Sequence, residues 1–192
     1  MKKIFLVSLS VLSPILASSA FAKAPVSANG IKYTISPLFG YETVFKATPT
    51  PHTSTRMMYG ARLTAGIDVI SAELEYTKGN DTENFLVAPQ KIETTDEKLK
   101  LGITSKYHLN DFLFASARLG GQAKKSVRIE TTTGSAPVTF NDATTYDPYA
   151  GASIGAHFGP VSVSLGAVAV IHNTTDMSQN DIQQTISISI GN

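Results

Sequence analysis

The sequence predicts an all-β fold, an eight-stranded antiparallel up-and-down transmembrane β-barrel. Apolar and polar residues alternate with period two through most of the chain, and helical periodicity is absent almost everywhere. The connections between alternating segments are short and long in turn, which is typical of bacterial outer-membrane barrels. The polar face is dense in Gly, Ser and Thr with scattered charges, which suits the narrow interior of eight strands.

The N-terminal stretch, residues 1–22, has the pattern of a cleaved secretory signal peptide. Lys2 and Lys3 precede an apolar run over 4–16, and Ala20-Phe21-Ala22 matches an A-x-A cleavage site. The run is too short to span a bilayer as a mature helix. We therefore expect export to the bacterial outer membrane and one barrel domain over 23–192.

The composition limits the kinds of partner that the protein is expected to bind. Charged residues make up 16% of the 192 residues, below the roughly 25% usual for soluble domains. The formal net charge is +1, which gives no basic field for nucleic acid. Cysteine is absent, so neither disulfides nor thiol chemistry are expected in this exported chain.

Period-two alternation divides the chain into eight predicted strands: 31–46, 56–67, 69–77, 98–108, 112–130, 146–158, 161–172 and 181–190. Short turns are expected at Gly66-Ile67-Asp68, Leu109-Asn110-Asp111 and Gly159-Pro160. Longer polar loops are expected at 47–55, 78–97, 131–145 and 173–180. An even strand number places both termini on the short-turn side, in the periplasm.

Each predicted strand has one apolar and one polar face. A soluble barrel of lipocalin type would also have eight strands, with the apolar face inside. The abundance of small residues on the polar face, two belts of aromatics and the absence of Trp favour the apolar face outward, towards lipid. The aromatic belts are predicted from Tyr33, Phe45, Tyr59, Tyr76, Tyr107 and Phe158. The interior charges are predicted to be Glu42, Arg62, Glu73, Glu75, Lys100, Lys106 and Arg118.

With the strands placed, short patterns such as YGARLTAGI, ARLGG and GASIGAHFG carry a resemblance. The chain resembles the small eight-stranded outer-membrane barrels, the OmpX-like proteins and the membrane domain of the OmpA family. The resemblance implies a monomer surrounded by outer-membrane lipids and inserted by the barrel assembly machinery. One departure stands out: the last strand ends in Ile190-Gly191-Asn192, not in the usual aromatic residue.

The expected function is structural or interactive: adhesion or ligand contact through the four outer loops, without an open pore. Charges at membrane depth must be paired or hydrated, and an internal ion-pair network is expected to fill the narrow lumen. Loop 78–97 contains the apolar cluster Phe85, Leu86 and Val87, and loop 131–145 is rich in threonine and could continue its strands as a hairpin. Loops on a rigid scaffold commonly carry function.

The sequence leaves two alternatives open: a small channel, and an enzyme that modifies lipid A in the manner of a deacylase. The enzyme would use His172, at the outer rim, as its base. Thr174 and Thr175 stand where such deacylases carry Ser and Asn, so no catalytic function is expected. The four histidines share no ligand spacing, and neither a metal nor a cofactor is predicted.

Overall fold

Nine antiparallel strands make up the part of the chain that the structure describes. The structure, a computed structural model, describes residues 30–46, 50–67, 69–87 and 89–191, so the predicted signal peptide lies outside the described residues. The strands are β1 (Lys32–Lys46), β2 (His52–Gly66), β3 (Ser71–Asn84), β4 (Lys91–His108), β5 (Leu113–Thr131), β6 (Val138–Asn141), β7 (Thr145–Phe158), β8 (Val161–Val170) and β9 (Asp181–Gly191). A single 3-10 turn spans Met177–Gln179. In the described part of the chain, no helix has the length and apolar character needed to cross a membrane.

Eight of these strands form a closed ring, which confirms the predicted fold class. Each strand pairs with its neighbour in the order β1-β2-β3-β4-β5-β7-β8-β9. The ring closes where β9 pairs with β1, with Ile35 opposite Ile190 and Leu38 opposite Ser187. Closure gives every strand of the wall a partner on both sides, as a hydrocarbon environment requires.

Polar and apolar residues are distributed in the reverse of a soluble protein. The largest fully buried side chains include Lys98, Lys100, Glu42 and Gln183. The exposed side chains include long rows of Ile, Leu, Phe and Tyr. On β9, Ile186 and Ile188 are exposed while Ser187 is buried between them. The wall of the barrel is therefore apolar outside and polar inside, and Leu38 and Val44 are apolar residues that point inward.

The limits of several outer strands differ from the prediction. The loop predicted over 78–97 is wrong over most of its length, because β3 continues to Asn84, β4 begins at Lys91 and only 85–90 connect them. β2 likewise begins at His52 instead of Arg56. Beyond the apolar wall both faces of a strand are polar, so the alternation disappears while backbone pairing continues.

The threonine-rich segment 131–145 forms a hairpin above the wall. β5 continues to Thr131, and β6 returns alongside it, with Arg128 opposite Phe140. The chain then enters β7, which pairs with the lower part of β5. β6 and β7 therefore lie along the same side of β5, and β6 pairs with the part of β5 that continues beyond the wall.

A pair of glycines makes room for the largest ring inside the barrel. Gly102 on β4 lies opposite Gly120 on β5, and Gly120 lies opposite Tyr149 on β7. A methyl group on Gly102 would overlap the Tyr149 hydroxyl and the Leu119 carbonyl. An aromatic ring that covers interstrand glycines is a known way of bending and closing a barrel wall.

Candidate functional site: a filled lumen below a protruding sheet

One cluster of ion pairs fills the lumen towards the end with the long connections. In this Glu42 cluster, Arg56 donates to Glu42 Oε2 through Nε at 3.0 Å and Nη2 at 2.9 Å. Arg56 also pairs with Asp96, and Lys98 pairs with Glu42. All four side chains are almost completely buried. Because taking isolated charges out of water is costly, such residues are stable here only as a paired set.

A second cluster lies beside the first. In this Glu75 cluster, Glu75 accepts hydrogen bonds from Lys100 at 2.5 Å and from Arg118 and Arg62 at 2.8 Å each. Arg118 also donates to Glu73 at 2.5 Å. Strands β2, β3, β4 and β5 all contribute to this cluster, so it ties together half of the barrel ring.

Neutral side chains join the two clusters. The amide of Gln183 donates to Glu42 at 2.7 Å, and its carbonyl oxygen accepts from Lys100. Tyr149 donates to Glu73 at 2.6 Å, and its ring centroid lies 5.3 Å from the Arg118 guanidinium. The two clusters and these neutral side chains form one continuous polar plug in the lumen. Its residues come from β1, β2, β3, β4, β5, β7 and β9.

The structure gathers most of the predicted interior charges into this plug. Glu42, Arg62, Glu73, Glu75, Lys100 and Arg118 all belong to the two clusters. Lys106 also belongs to the inward-facing parity of β4, but it lies nearer the short turns, with Nζ 4.7 Å from the Phe114 ring centroid.

Sequence reasoning missed Arg56, Asp96 and Lys98, which form most of the Glu42 cluster. The signal was available for two of them. Arg56 has the same parity as Arg62 on β2, and Lys98 has the same parity as Lys100 on β4, so each pair shares a face. Asp96 lies within 78–97, which the sequence predicts as a loop, so the sequence pattern does not assign its side chain to the interior.

The predicted aromatic belts lie on the outside of the wall. Tyr33, Tyr107 and Phe158 are exposed near the short turns. Tyr59 and Tyr76 are exposed about midway along β2 and β3, because both strands continue further than predicted. Phe45 is half-buried. Tyr41 and Tyr146 are also exposed on the wall's outer face.

Strands β3, β4 and β5 continue past the wall as a protruding sheet, which consists of 81–87, 89–94, 125–131 and β6. β3 extends roughly 25 Å along its own direction from Tyr76 to Asn84. Leu86 and Val87, at the tip of the β3–β4 connection, are strongly exposed. Phe85, the third residue of the predicted apolar cluster, packs edge-on against His52 with ring centroids 6.2 Å apart.

His172 joins three segments in the connection between β8 and β9. Its Nδ1 lies 2.9 Å from Asp147 on β7, and its Nε2 lies 2.9 Å from Asp181 on β9. The hydrogen bond to Asp181 is the main cause that raises the pKa of His172 above its ordinary value. Asp176, in the same connection, instead caps the 3-10 turn by accepting from Ser178.

The other histidines are separated from this site. His108 and His157 stack at 5.3 Å near the short turns. His52, at the start of β2, hydrogen-bonds to Glu83 at 2.9 Å. Across 30–46, 50–67, 69–87 and 89–191, no group of three or more His, Cys, Asp or Glu side chains is arranged to hold a metal ion.

A closed antiparallel ring with an apolar wall and a filled polar lumen defines the class of small eight-stranded barrels of the outer-membrane type. Among solved structures, the chain is similar to neisserial surface protein A, with a TM-score of 0.56 and 9% identity over 85% of this chain and 98% of that one. It is also similar to Ail, the attachment invasion locus protein of Yersinia pestis (TM-score 0.54, 8% identity, 84% and 98% covered).

The N-terminal β-barrel domain of Pseudomonas aeruginosa OprF is a third structural neighbour, with a TM-score of 0.53, 9% identity, and 82% and 97% of the chains covered. No protein-family model matches the sequence, and no curated protein matches it. At these identities the likeness establishes the fold.

Proposed function

We propose that the protein is a non-conducting barrel of the bacterial outer membrane that contacts other molecules through its protruding sheet. The observation that carries this proposal is the combination of an apolar outer wall with a lumen blocked by ion pairs. Such a wall suits lipid, and such a lumen leaves no route for solutes. The sheet that continues above the wall stays accessible to other molecules.

The exposed edge of that sheet is the surface best suited to contact. β6 is the last strand in the sheet order and, among the described strands, pairs with β5 alone. Asp142 N donates to Ser126 O, so Val138 and Phe140 direct backbone groups to β5 while Thr139 and Asn141 direct theirs outward. An edge of this kind can accept an extended segment as an added strand.

The site at His172 does not support the enzyme alternative. Each ring nitrogen of His172 faces a carboxylate, and a general base needs a free nitrogen within reach of its nucleophile. We therefore propose a role at this rim in holding β7, β8 and β9 together instead of lipid hydrolysis.

The membrane location and the absence of an open pore can be tested on the same protein. The protein should fractionate with the outer membrane, migrate differently on gels before and after boiling, and give no conductance in planar bilayers at ordinary voltages. A soluble periplasmic protein with one gel mobility would contradict the membrane proposal. Stable open channels would contradict the closed lumen.

The contact surface is tested with a fluorescent peptide that copies Lys125–Thr131, the natural partner strand of β6. The folded protein in micelles should bind this probe, and Thr139→Pro should abolish binding by removing one outward N–H. Ala136→Pro, in the turn before β6, is the matched control and should bind normally. Unchanged binding by Thr139→Pro, or none by the original protein, would refute strand addition.

A further inference from the structure

Gln184 is a polar side chain on the outer, apolar surface of the wall. On β9 it stands between Ile182 and Ile186, and all three side chains are exposed. The neighbouring strands place Tyr41 of β1 on one side of it and Ala167 of β8 on the other. Aliphatic and aromatic side chains therefore surround a primary amide.

The register of β8 and β9 gives the depth of this amide. Ile190 is paired with Val161 beside a short turn, and Gln184 precedes Ile190 by six residues along β9. At about 3.3 Å per residue and a strand tilt of about 40°, the amide lies roughly 15 Å above the short-turn end of the wall. The apolar band of such barrels is about 25 Å tall, so in the proposed membrane location Gln184 lies near mid-depth.

The barrel itself does not satisfy this side chain. Among the residues that the structure describes, none donates a hydrogen bond to the Gln184 side chain or accepts one from it. Lipid tails offer neither donors nor acceptors at that depth, and an unpaired amide in hydrocarbon is costly. A lone barrel in a membrane would leave two N–H donors and one carbonyl oxygen without partners.

The surface beside Gln184 is open to a second wall. A groove extends from the amide across β8 to β7, and its floor is formed by Ala167 and Ala152, which are paired with each other. Larger outward side chains complete its lining: Phe39, Tyr41, Ile154, Leu165 and Ile186. Small residues at membrane interfaces let two segments approach closely enough for their polar side chains to hydrogen-bond.

We propose that this face of the wall is the interface of a reversible dimer, in which the Gln184 amides of two copies hydrogen-bond to each other. An amide is both donor and acceptor, so two copies related by a twofold axis satisfy each other with the same residue. Copies inserted in the same direction carry the amide at the same depth, which a different partner would have to match. The resemblance to small barrels implies a monomer, and Gln184 is the feature that favours a dimer.

The test is Förster transfer between donor-labelled and acceptor-labelled copies, folded into vesicles at a series of protein-to-lipid ratios. The chain contains no cysteine, so Asp111→Cys in the exposed β4–β5 turn carries the dyes. Transfer should exceed the level of randomly placed barrels and should saturate. Gln184→Leu, which keeps the size of the side chain and suits lipid, should need about tenfold more protein for the same transfer.

Ser105→Ala is the matched control. Ser105 is another outward polar residue, but it lies on β4, the fourth strand from β9 in either direction around the ring. Its replacement should leave the transfer curve unchanged. Cross-linking with a short bismaleimide locates the interface: Ala167→Cys on β8 should give linked dimers, whereas Leu74→Cys on β3, across the ring, should not.

The dimer rests on the proposed membrane location, and the outcomes separate the two. Random-level transfer by a protein that inserts and keeps its heat-dependent gel mobility would overturn the dimer alone, whereas a protein that does not insert would overturn the membrane location. Equal transfer by the original protein and Gln184→Leu would overturn the role of the amide. Equal cross-linking of both cysteines would overturn the placement of the interface.

Discussion

His172 is the residue at which proton binding should affect the outer rim. The hydrogen bonds to Asp181 and Asp147 raise its pKa in the folded protein. Its stabilising contribution is therefore complete below the unfolded value, about 6.5, and is lost as pH rises through the folded pKa. NMR titration of the ring should give a midpoint above 6.5, and the stability difference from His172→Gln should shrink as pH rises.

A midpoint at or below 6.5 would contradict this bridging role, as would a stability difference that does not change with pH. Asn180 also shapes this rim by accepting from the backbone N–H groups of His172 and Asn173. Asn180→Ala therefore serves as a comparison that loosens the connection without removing a titrating group.

Arg56 is the residue whose loss should cost most inside the Glu42 cluster. Arg56→Met leaves Asp96 without its arginine partner and Glu42 with Lys98 and Gln183. Removing one member of a buried charge set typically costs about 3–5 kcal/mol. Urea unfolding in lipid vesicles, followed by gel mobility, should show the loss.

The matched control is Lys78→Met, in the exposed Lys78–Glu97 pair at 3.5 Å. Exposed pairs contribute about 0–1 kcal/mol, so this variant should unfold close to the original protein. Equal urea midpoints for Arg56→Met and Lys78→Met would show that the buried network does not stabilise the barrel as described.

Among the strands, the β3–β4 hairpin should be separable from the barrel. Replacing 82–93 with Asn-Gly keeps Asp81 opposite Thr94 at the new turn and removes the paired extension above them. We expect the shortened protein to keep its heat-dependent gel mobility but to unfold at a lower urea concentration, because it loses the buried Ile92 and the ion pair between Glu83 and Lys46. Failure to fold would mean that the extension helps to assemble the wall.

The same hairpin shows where sequence reasoning stopped. Within the wall, one face must meet lipid and the other the lumen, so alternation such as Ile186-Ser187-Ile188 reveals both strand and face. In the extension, Thr82, Glu93 and Thr94 are polar on both faces, and no hydrophobic pattern distinguishes strand from loop. Their partners, paired through the backbone, could be known only from the fold.

For the interior, sequence parity predicted which side the charges face but not which charges meet. Glu42 and Gln183 are distant in sequence and become neighbours only when β9 closes against β1. The position of Tyr149 is difficult to predict for another reason. Its place in the alternation of β7 indicates the interior, whereas aromatic rings in such barrels commonly face lipid. Closure of the ring decides both positions.

At the scale of the whole molecule, the central claim is that the wall faces lipid and the lumen is closed. The chain contains no cysteine, so single cysteines can be introduced along β9 from Ile182 to Ile190 and labelled with nitroxides in bilayers. Oxygen, which concentrates in lipid, should reach labels at the isoleucine positions and not those at Gln183, Thr185, Ser187 and Ser189. A water-soluble nickel reagent that relaxed the isoleucine positions, or reached all positions equally, would contradict the lipid-facing wall.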